Sequence, residues 1–399
     1  HMQRLLRLVT LVTAIALLAG LGATANAART SASADPIQIG VVSSRTGLLA
    51  AYGAQYIQGL RYGLSYATKG KNAIGDRKIE LTLVDDAGDP VKAVSAAKDL
   101  IGKGYKILAG TVSSGVALQM APLAAQNKVL YISGPAATDA LQAINKYTFR
   151  SGRQSIQDVI TASSFLGGGA GKNVVVFAQD SAFGQGDYAA VNRLIGDLGG
   201  QKVGRVLVPL SAQDFTPFAQ QVKQQKPDLL YVAWAGGTAP AMWRALDQQG
   251  VFNDVDKVVT GLAERATWAT FGEVGTKISF LSHYVSTAPK NKVNDFLVSS
   301  MRKRGQVPDL FTPDGFVAGQ MIVRALEKGS VSDVDKMVAA LEGWSFTGPK
   351  GQQTIRASDH AMLQPMFQVK LVQQGGRTTA TVLKSLRAKY TAPPVRTIG

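Results

Sequence analysis

One pattern constrains this chain more than any other. From Pro36 onward, apolar and β-branched runs at 37–43, 78–84, 106–110, 129–133, 174–178, 206–209, 229–234 and 258–261 alternate with stretches of helical period. Those stretches fall at 53–68, 91–103, 115–127, 155–166, 185–198, 215–225 and 239–249. Such alternation specifies parallel sheets joined by right-handed crossovers and covered by helices on both faces. A strand buried on both faces should be apolar throughout, as Val174, Val175, Val176, Phe177 and Ala178 are. Asp89 followed by Pro90 sets a helix N-cap before a proline at the first helical position.

The spacing divides the strands into two sets of about four, with a break at 147–153. A single sheet of eight is the other arrangement it allows. After Tyr284 the rhythm fades into helical segments at 291–304, 314–328 and 331–341, then a β-rich return that includes 366–372 and a polar tail. Such a return suits a chain that crosses back between two lobes. The expected fold is therefore α/β, with two Rossmann-like lobes joined by a multi-strand hinge. Residues 36–150 with 285–362 would form the first lobe, and 151–284 with 363–399 the second.

Ahead of this lies a leader. His1 and Met2 read as a cloning scar; Arg4 and Arg7 then precede an uncharged stretch, 8–28, that ends in an A-x-A pattern at Ala25, Asn26 and Ala27. That is the layout of a cleaved signal peptide, 1–27, followed by a flexible Ser/Ala-rich segment, 28–35. An uncleaved anchor is the competing reading. Cleavage would leave a protein in the periplasm or secreted.

Composition narrows the chemistry. The chain has no cysteine, which removes disulfides, thiolate metal sites and cysteine nucleophiles together. Beyond His1 only His283 and His360 could serve a histidine-dependent enzyme, and neither has an acidic neighbour at a metal-ligand offset. The net charge of +16 is scattered in ones and twos, with Arg302, Lys303 and Arg304 the densest cluster. That reads as solvated surface, with no nucleic-acid partner.

Several motifs resemble catalytic or phosphate-binding elements. Gly184, Gly186 and Ala189 fit G-x-G-x-x-A, yet residues 179–183 separate them from the preceding strand. Gly167–Lys172 has the look of a phosphate loop but comes before a strand, which suits a helix-ending turn. Ser95 and Lys98 match a nucleophile spacing without its partner motif, and Asp85, Asp86 and Asp89 lack calcium-loop spacing. More informative are the strand ends whose hydroxyl residues open helices: Thr111, Ser113, Ser114 and Gly115, then Ser133 to Thr138 one strand later. A helix N-terminus offers free N–H groups and partial positive charge, which suits a carboxylate. Two such ends on adjacent strands would face one crevice.

Read in order, these segments resemble a known family. Ile39 to Gly47, Tyr52 with Gly53, Asp85 to Pro90, Gly110 to Ser114, Ser133 to Thr138, Asp180 to Gly186, Asp214 with Phe215, and Pro227 to Tyr231 together are similar to the periplasmic branched-chain amino acid binding proteins. These are type I, two-lobed receptors that serve ABC importers. The resemblance implies reversible capture of a small ligand without chemistry, no cofactor, no metal, a monomer, and a membrane permease as partner. It carries the ligand carboxylate onto Ser114, Ala136 and Thr138, an apolar wall onto Tyr52 and an aromatic contact onto Phe183.

The second lobe departs from the family pattern. A tyrosine that would hold the ligand ammonium is replaced near Ala235 and Gly236, with Trp234 just before, and its glutamate is matched by Glu264, followed by Arg265. Arg265 gripping a second carboxylate, and Trp234 with Phe183 clamping an aromatic ring, are the expected adaptations. The ligand is then an amino acid, branched-chain or aromatic, or an aromatic carboxylate. A sensor of the same fold and a nucleotide-dependent enzyme are the competing functions; the latter needs a glycine fingerprint where Ser43 to Gly47 stands.

Overall fold

The computed structural model describes residues 34–262 and 264–399. The leader, 1–27, and the segment that follows it up to residue 33 lie outside the described residues. Among the described residues no helix is long and apolar enough to cross a membrane.

Two main sheets form among the described residues, the first of the two arrangements that the alternation allows. The first is built from β1 (Ile37–Ser43), β2 (Ala73–Ile74), β3 (Arg77–Asp85), β4 (Ile107–Ala109), β5 (Leu130–Ser133) and β6 (Thr148–Arg150), in the order β2-β3-β1-β4-β5-β6. All its pairs are parallel except β2 with β3, an edge hairpin the sequence pattern did not reveal. The second sheet begins with β7 (Asn173–Gln179), β8 (Lys202–Val208), β9 (Leu229–Ala233), β10 (Lys257–Thr260) and β11 (Ile278–Ser282). A small antiparallel sheet follows, made of β12 (Ser345–Gly348), β13 (Gly351–Ile355) and β14 (Met362–Leu363). The chain then returns to the second sheet as β15 (Met366–Gln374) and β16 (Arg377–Leu386), giving the order β16-β15-β11-β10-β9-β7-β8.

The first sheet is flanked by α1 (Ala50–Ala67), α2 (Pro90–Gly102) and α3 (Ser114–Asn127), and the second by α4 (Ser155–Ser163), α5 (Ala182–Val191), α6 (Thr216–Gln225) and α7 (Ala239–Gln248). Helix starts follow local chemistry. Asp89 accepts from Val91 and Lys92 N–H ahead of α2, Ser113 from Val116 N–H ahead of α3, and Ser181 from Gly184 N–H ahead of α5. β7 is fully buried from Val174 through Gln179 and separates two apolar layers, with Val175 and Phe177 on one side and Val174, Val176 and Ala178 on the other.

The chain passes between sheets three times, after β6, after β11 and between β14 and β15. The tail corrects one expectation. Thr391 to Ile398 does not stay with the second lobe: Gln142 donates to the Pro394 carbonyl, Arg396 N–H donates to Asp359, and Ile398 N–H donates to the Ser358 carbonyl. A polar, proline-bearing tail cannot add to a sheet, so its carbonyls and N–H groups find side chains on the first lobe instead.

The tempting motifs settle into structural work. Gly184 lies in the first turn of α5, where a Cβ would clash with the Gln179 carbonyl oxygen, and the Lys172 ammonium bonds the Leu166 carbonyl within the turn before β7. His360 stacks on Phe149 at 3.8 Å, with its ring nitrogens on Thr148 and Glu342. Among the described residues no cluster of three or more His, Asp or Glu could hold a metal ion.

Candidate ligand-binding cleft

Between the lobes lies a cavity of about 370 Å³. From the first lobe come Leu48, Leu49 and Tyr52 at the start of α1, Val112 through Gly115 at the start of α3, and Pro135 with Ala137 after β5. The second lobe contributes Gln179 at the end of β7, Ser181 through Phe183 at the start of α5, and Leu210, Ala235 and Leu262. Ala87, Gly88 and Pro90 at the start of α2, Arg153 from the first crossing between lobes, and Phe311 complete the wall. The N-termini of α3 and α5 meet here: a Cβ placed on Gly115 would lie 4.0 Å from the Ala182 Cβ. Two helices thus point unsatisfied N–H groups and partial positive charge at one small volume.

Arg153 is the site residue the sequence did not announce. It is 1% exposed, its Nε donates to Asp158 Oδ2 at 3.1 Å, and its Nη1 donates to the Pro135 carbonyl at 3.1 Å. Burial opposes its charge, but Asp158, Asp314 and Asp187 outweigh that and hold the guanidinium protonated. Two of its five N–H groups are spent this way, which leaves part of a planar fork at the cavity. Its backbone is fixed by Arg150, whose guanidinium donates to the Arg153 and Thr138 carbonyls. The one available signal was an arginine between Gly152 and Gln154 at the lobe boundary. Phe311 was equally silent; it stands edge-on to Tyr52 at 4.7 Å, under the Arg153 guanidinium at 5.7 Å.

Of the expected residues, Tyr52, Ser114 and Phe183 line the cavity. Ala136 and Thr138 do not; Ala137 stands between them on the wall. Thr138 is turned to backbone work: its hydroxyl accepts from Ala140 N–H, and its own N–H donates to Ser114 Oγ at 3.2 Å. Trp234 is a correction. It is 2% exposed, packs edge-on to Phe215 and tilted over Phe177, and donates its indole N–H to the Thr238 hydroxyl. Strand parity explains it, since Trp234 continues the side of β9 that carries Leu230 and Val232 into the second lobe's core. It therefore forms no ring clamp with Phe183. Arg265 is exposed and absent from the wall; its N–H donates to Asp309 Oδ1 at 2.9 Å.

Glu264 sits behind the wall rather than in it. It is 5% exposed, and its Oε1 accepts the Tyr52 hydroxyl at 3.0 Å. No acidic side chain lines the cavity among the described residues. The same tyrosine hydroxyl accepts from Gly236 N–H at 3.0 Å, and Gly237 N–H donates to the Leu48 carbonyl at 3.0 Å, so the lobes touch directly. Gly236 has a φ of +86°, and a Cβ there would meet the Leu48 carbonyl oxygen at 2.3 Å, so only glycine permits this approach.

Two α/β lobes enclosing a preformed cavity at their strand ends define a receptor that holds a small solute by closing around it. The chain belongs to the periplasmic binding protein family, whose sequence profile matches residues 36–377. It is 26% identical over 312 residues to the Leu/Ile/Val-binding protein BraC3 of Rhizobium johnstonii, covering 77% of this chain and 83% of that one. An ABC-type branched-chain amino acid transporter structure from Rhodopseudomonas palustris CGA009 is 31% identical, with a TM-score of 0.74, over 90% of this chain and 99% of that one. An ABC transporter solute-binding protein from R. palustris in complex with 4-hydroxybenzoate superposes with a TM-score of 0.81 over 88% and 97% of the two chains; at 21% identity that likeness shows the fold alone.

Proposed function

We propose that this protein is the extracytoplasmic solute-binding component of an ABC importer and that its ligand is a small carboxylate with an apolar body and no amine. The carboxylate docks between Arg153 and the N-termini of α3 and α5, and the body lies against Tyr52, Phe183 and Phe311. The protein captures and releases its ligand unchanged, as a monomer, and presents the closed form to a membrane permease.

One observation carries the ligand class: the cavity wall holds an arginine, two serine-opened helices and apolar side chains, with no carboxylate among the described residues to receive an ammonium. Two or three charge-assisted hydrogen bonds at about 1.5–3 kcal/mol each, with ring burial, cover the ~8 kcal/mol of micromolar binding. The gross gain must also offset lost ligand freedom and closure.

Thermal shift on protein unfolded and refolded to strip carried-over ligand tests this with matched pairs, leucine against 4-methylpentanoate and phenylglycine against phenylacetate, with benzoate and 4-hydroxybenzoate added. A ligand at 100 times its Kd adds about 2.7 kcal/mol. Shifts with the amine-free members are expected. Shifts confined to the amino acids overturn the ligand class.

A further inference from the structure

The contact between the lobes contains an unusual group. Glu264, from the second lobe, is buried against Tyr52 of α1 in the first, and its Oε2 has no hydrogen-bond partner among the described residues. The Tyr52 hydroxyl is saturated, donating to Glu264 Oε1 and accepting from Gly236 N–H, both at 3.0 Å. The charged groups near this carboxyl are few. Asp309, from the loop ahead of the helix Thr312–Arg324, adds like charge; Arg265, on its own segment, has its side chain in solvent.

We propose that Glu264 and Tyr52 form a proton-linked latch, in which the lobes close with Glu264 neutral and closing over its charged form is disfavoured. The geometry demands a choice. A carboxylate carried into this contact loses its water and receives only the Tyr52 hydroxyl and its own backbone N–H in return, with Oε2 left without a partner, whereas the neutral acid loses far less. Opening returns Glu264 to solvent. Burial accordingly raises its pKa from 4.5 to about 7 in the closed form, with its own backbone N–H and the Tyr52 bond opposing the rise and Asp309 adding to it. Burial and Glu264 together push the Tyr52 phenol well above its ordinary value, so it stays a donor. The closed state therefore holds more protons than the open one, and closing strengthens as pH falls from about 7 toward 4.5.

The idea rests on lobe closure but not on the ligand class proposed above, and its test needs no ligand. Because the chain has no cysteine, Lys98→Cys on α2 and Gln213→Cys in the second lobe, both exposed, take fluorophores cleanly. Single-molecule energy transfer on the ligand-free protein should show the closing equilibrium rising up to about 70-fold between pH 8 and pH 5. Glu264→Gln, a neutral isostere that still accepts from Tyr52, should hold the low-pH level throughout. Tyr52→Phe should lower the closed population while closing still strengthens as pH falls. A lobe separation that ignores pH, whether open or shut, overturns the proposal, as does a Glu264→Gln protein that retains the wild-type slope. Failure of every carboxylate to bind would sink the proposed ligand class and leave this result standing.

Discussion

The two faces of the cleft are built on different terms. The first lobe's face is a frame of backbone held by buried polar bonds: Ser114 Oγ holds Thr138 N–H, Thr138 caps the turn at Ala140, and Arg150 ties Thr138 to Arg153. The second lobe's face is mainly apolar, with Ala182, Phe183, Leu210, Ala235 and Leu262, and its polar atoms are largely committed to its own fold. Gln179 Oε1, for instance, accepts Ala235 N–H, and Ser181 caps α5. On the proposed reading, the first lobe and the crossing supply the rigid frame and Arg153 for the ligand's charged end, while the second lobe adds the N-terminus of α5 and a mainly apolar lid that excludes water.

The sharpest way to break that comparison is Arg153→Met. Truncating one member of a buried charge pair costs about 2–5 kcal/mol in binding, and leaving Asp158 uncompensated costs about 3–5 kcal/mol in stability. Calorimetric titration with 4-hydroxybenzoate should therefore lose at least about 30-fold in affinity, with a lower Tm. Retained affinity would move the carboxylate to the second lobe and invert the comparison.

The next test stays within the second lobe. Trp234→Ala empties a packed core position and should cost about 3–5 kcal/mol in denaturant unfolding, with little change in affinity for protein that remains folded. Phe183→Ala, half-buried on the cavity wall, should instead weaken binding roughly tenfold through lost apolar contact and barely move stability. The reverse outcome would put the indole back in the site.

These contrasts mark where the sequence could be read. Helix starts carry their chemistry locally, so Ser114 was legible from hydroxyl spacing at a strand end, whereas α5 starts at Ala182, three residues before the helical stretch read from the sequence. The two-lobe division was legible because buried parallel strands must be apolar throughout. Trp234 was not, since nothing local says which side of a doubly covered strand faces the cleft and which the core. Arg153 and Phe311 were not either: their positions depend on how a crossing segment and the returning chain pack around a hinge, which is a tertiary fact. Glu264 was expected at the ligand but stands behind the wall, and its pairing with Tyr52 spans 212 positions, which no local pattern announces.

The smallest effect separates two residues that spacing presents as equals. Ser114 faces the cavity and also satisfies a buried N–H, so Ser114→Ala leaves Thr138 N–H unpaired at about 1–3 kcal/mol and removes a hydroxyl from the carboxylate's surroundings. Both affinity and Tm should fall. Thr138→Ala loses only a cap on Ala140 N–H, worth about 1 kcal/mol, and should lower Tm slightly with affinity unchanged. The two variants, measured by titration and melting, therefore separate along different axes. If Thr138→Ala weakens carboxylate binding as much as Ser114→Ala does, the hydroxyl turns toward the ligand when one is bound, and the first lobe's face is less rigid than its hydrogen bonds imply.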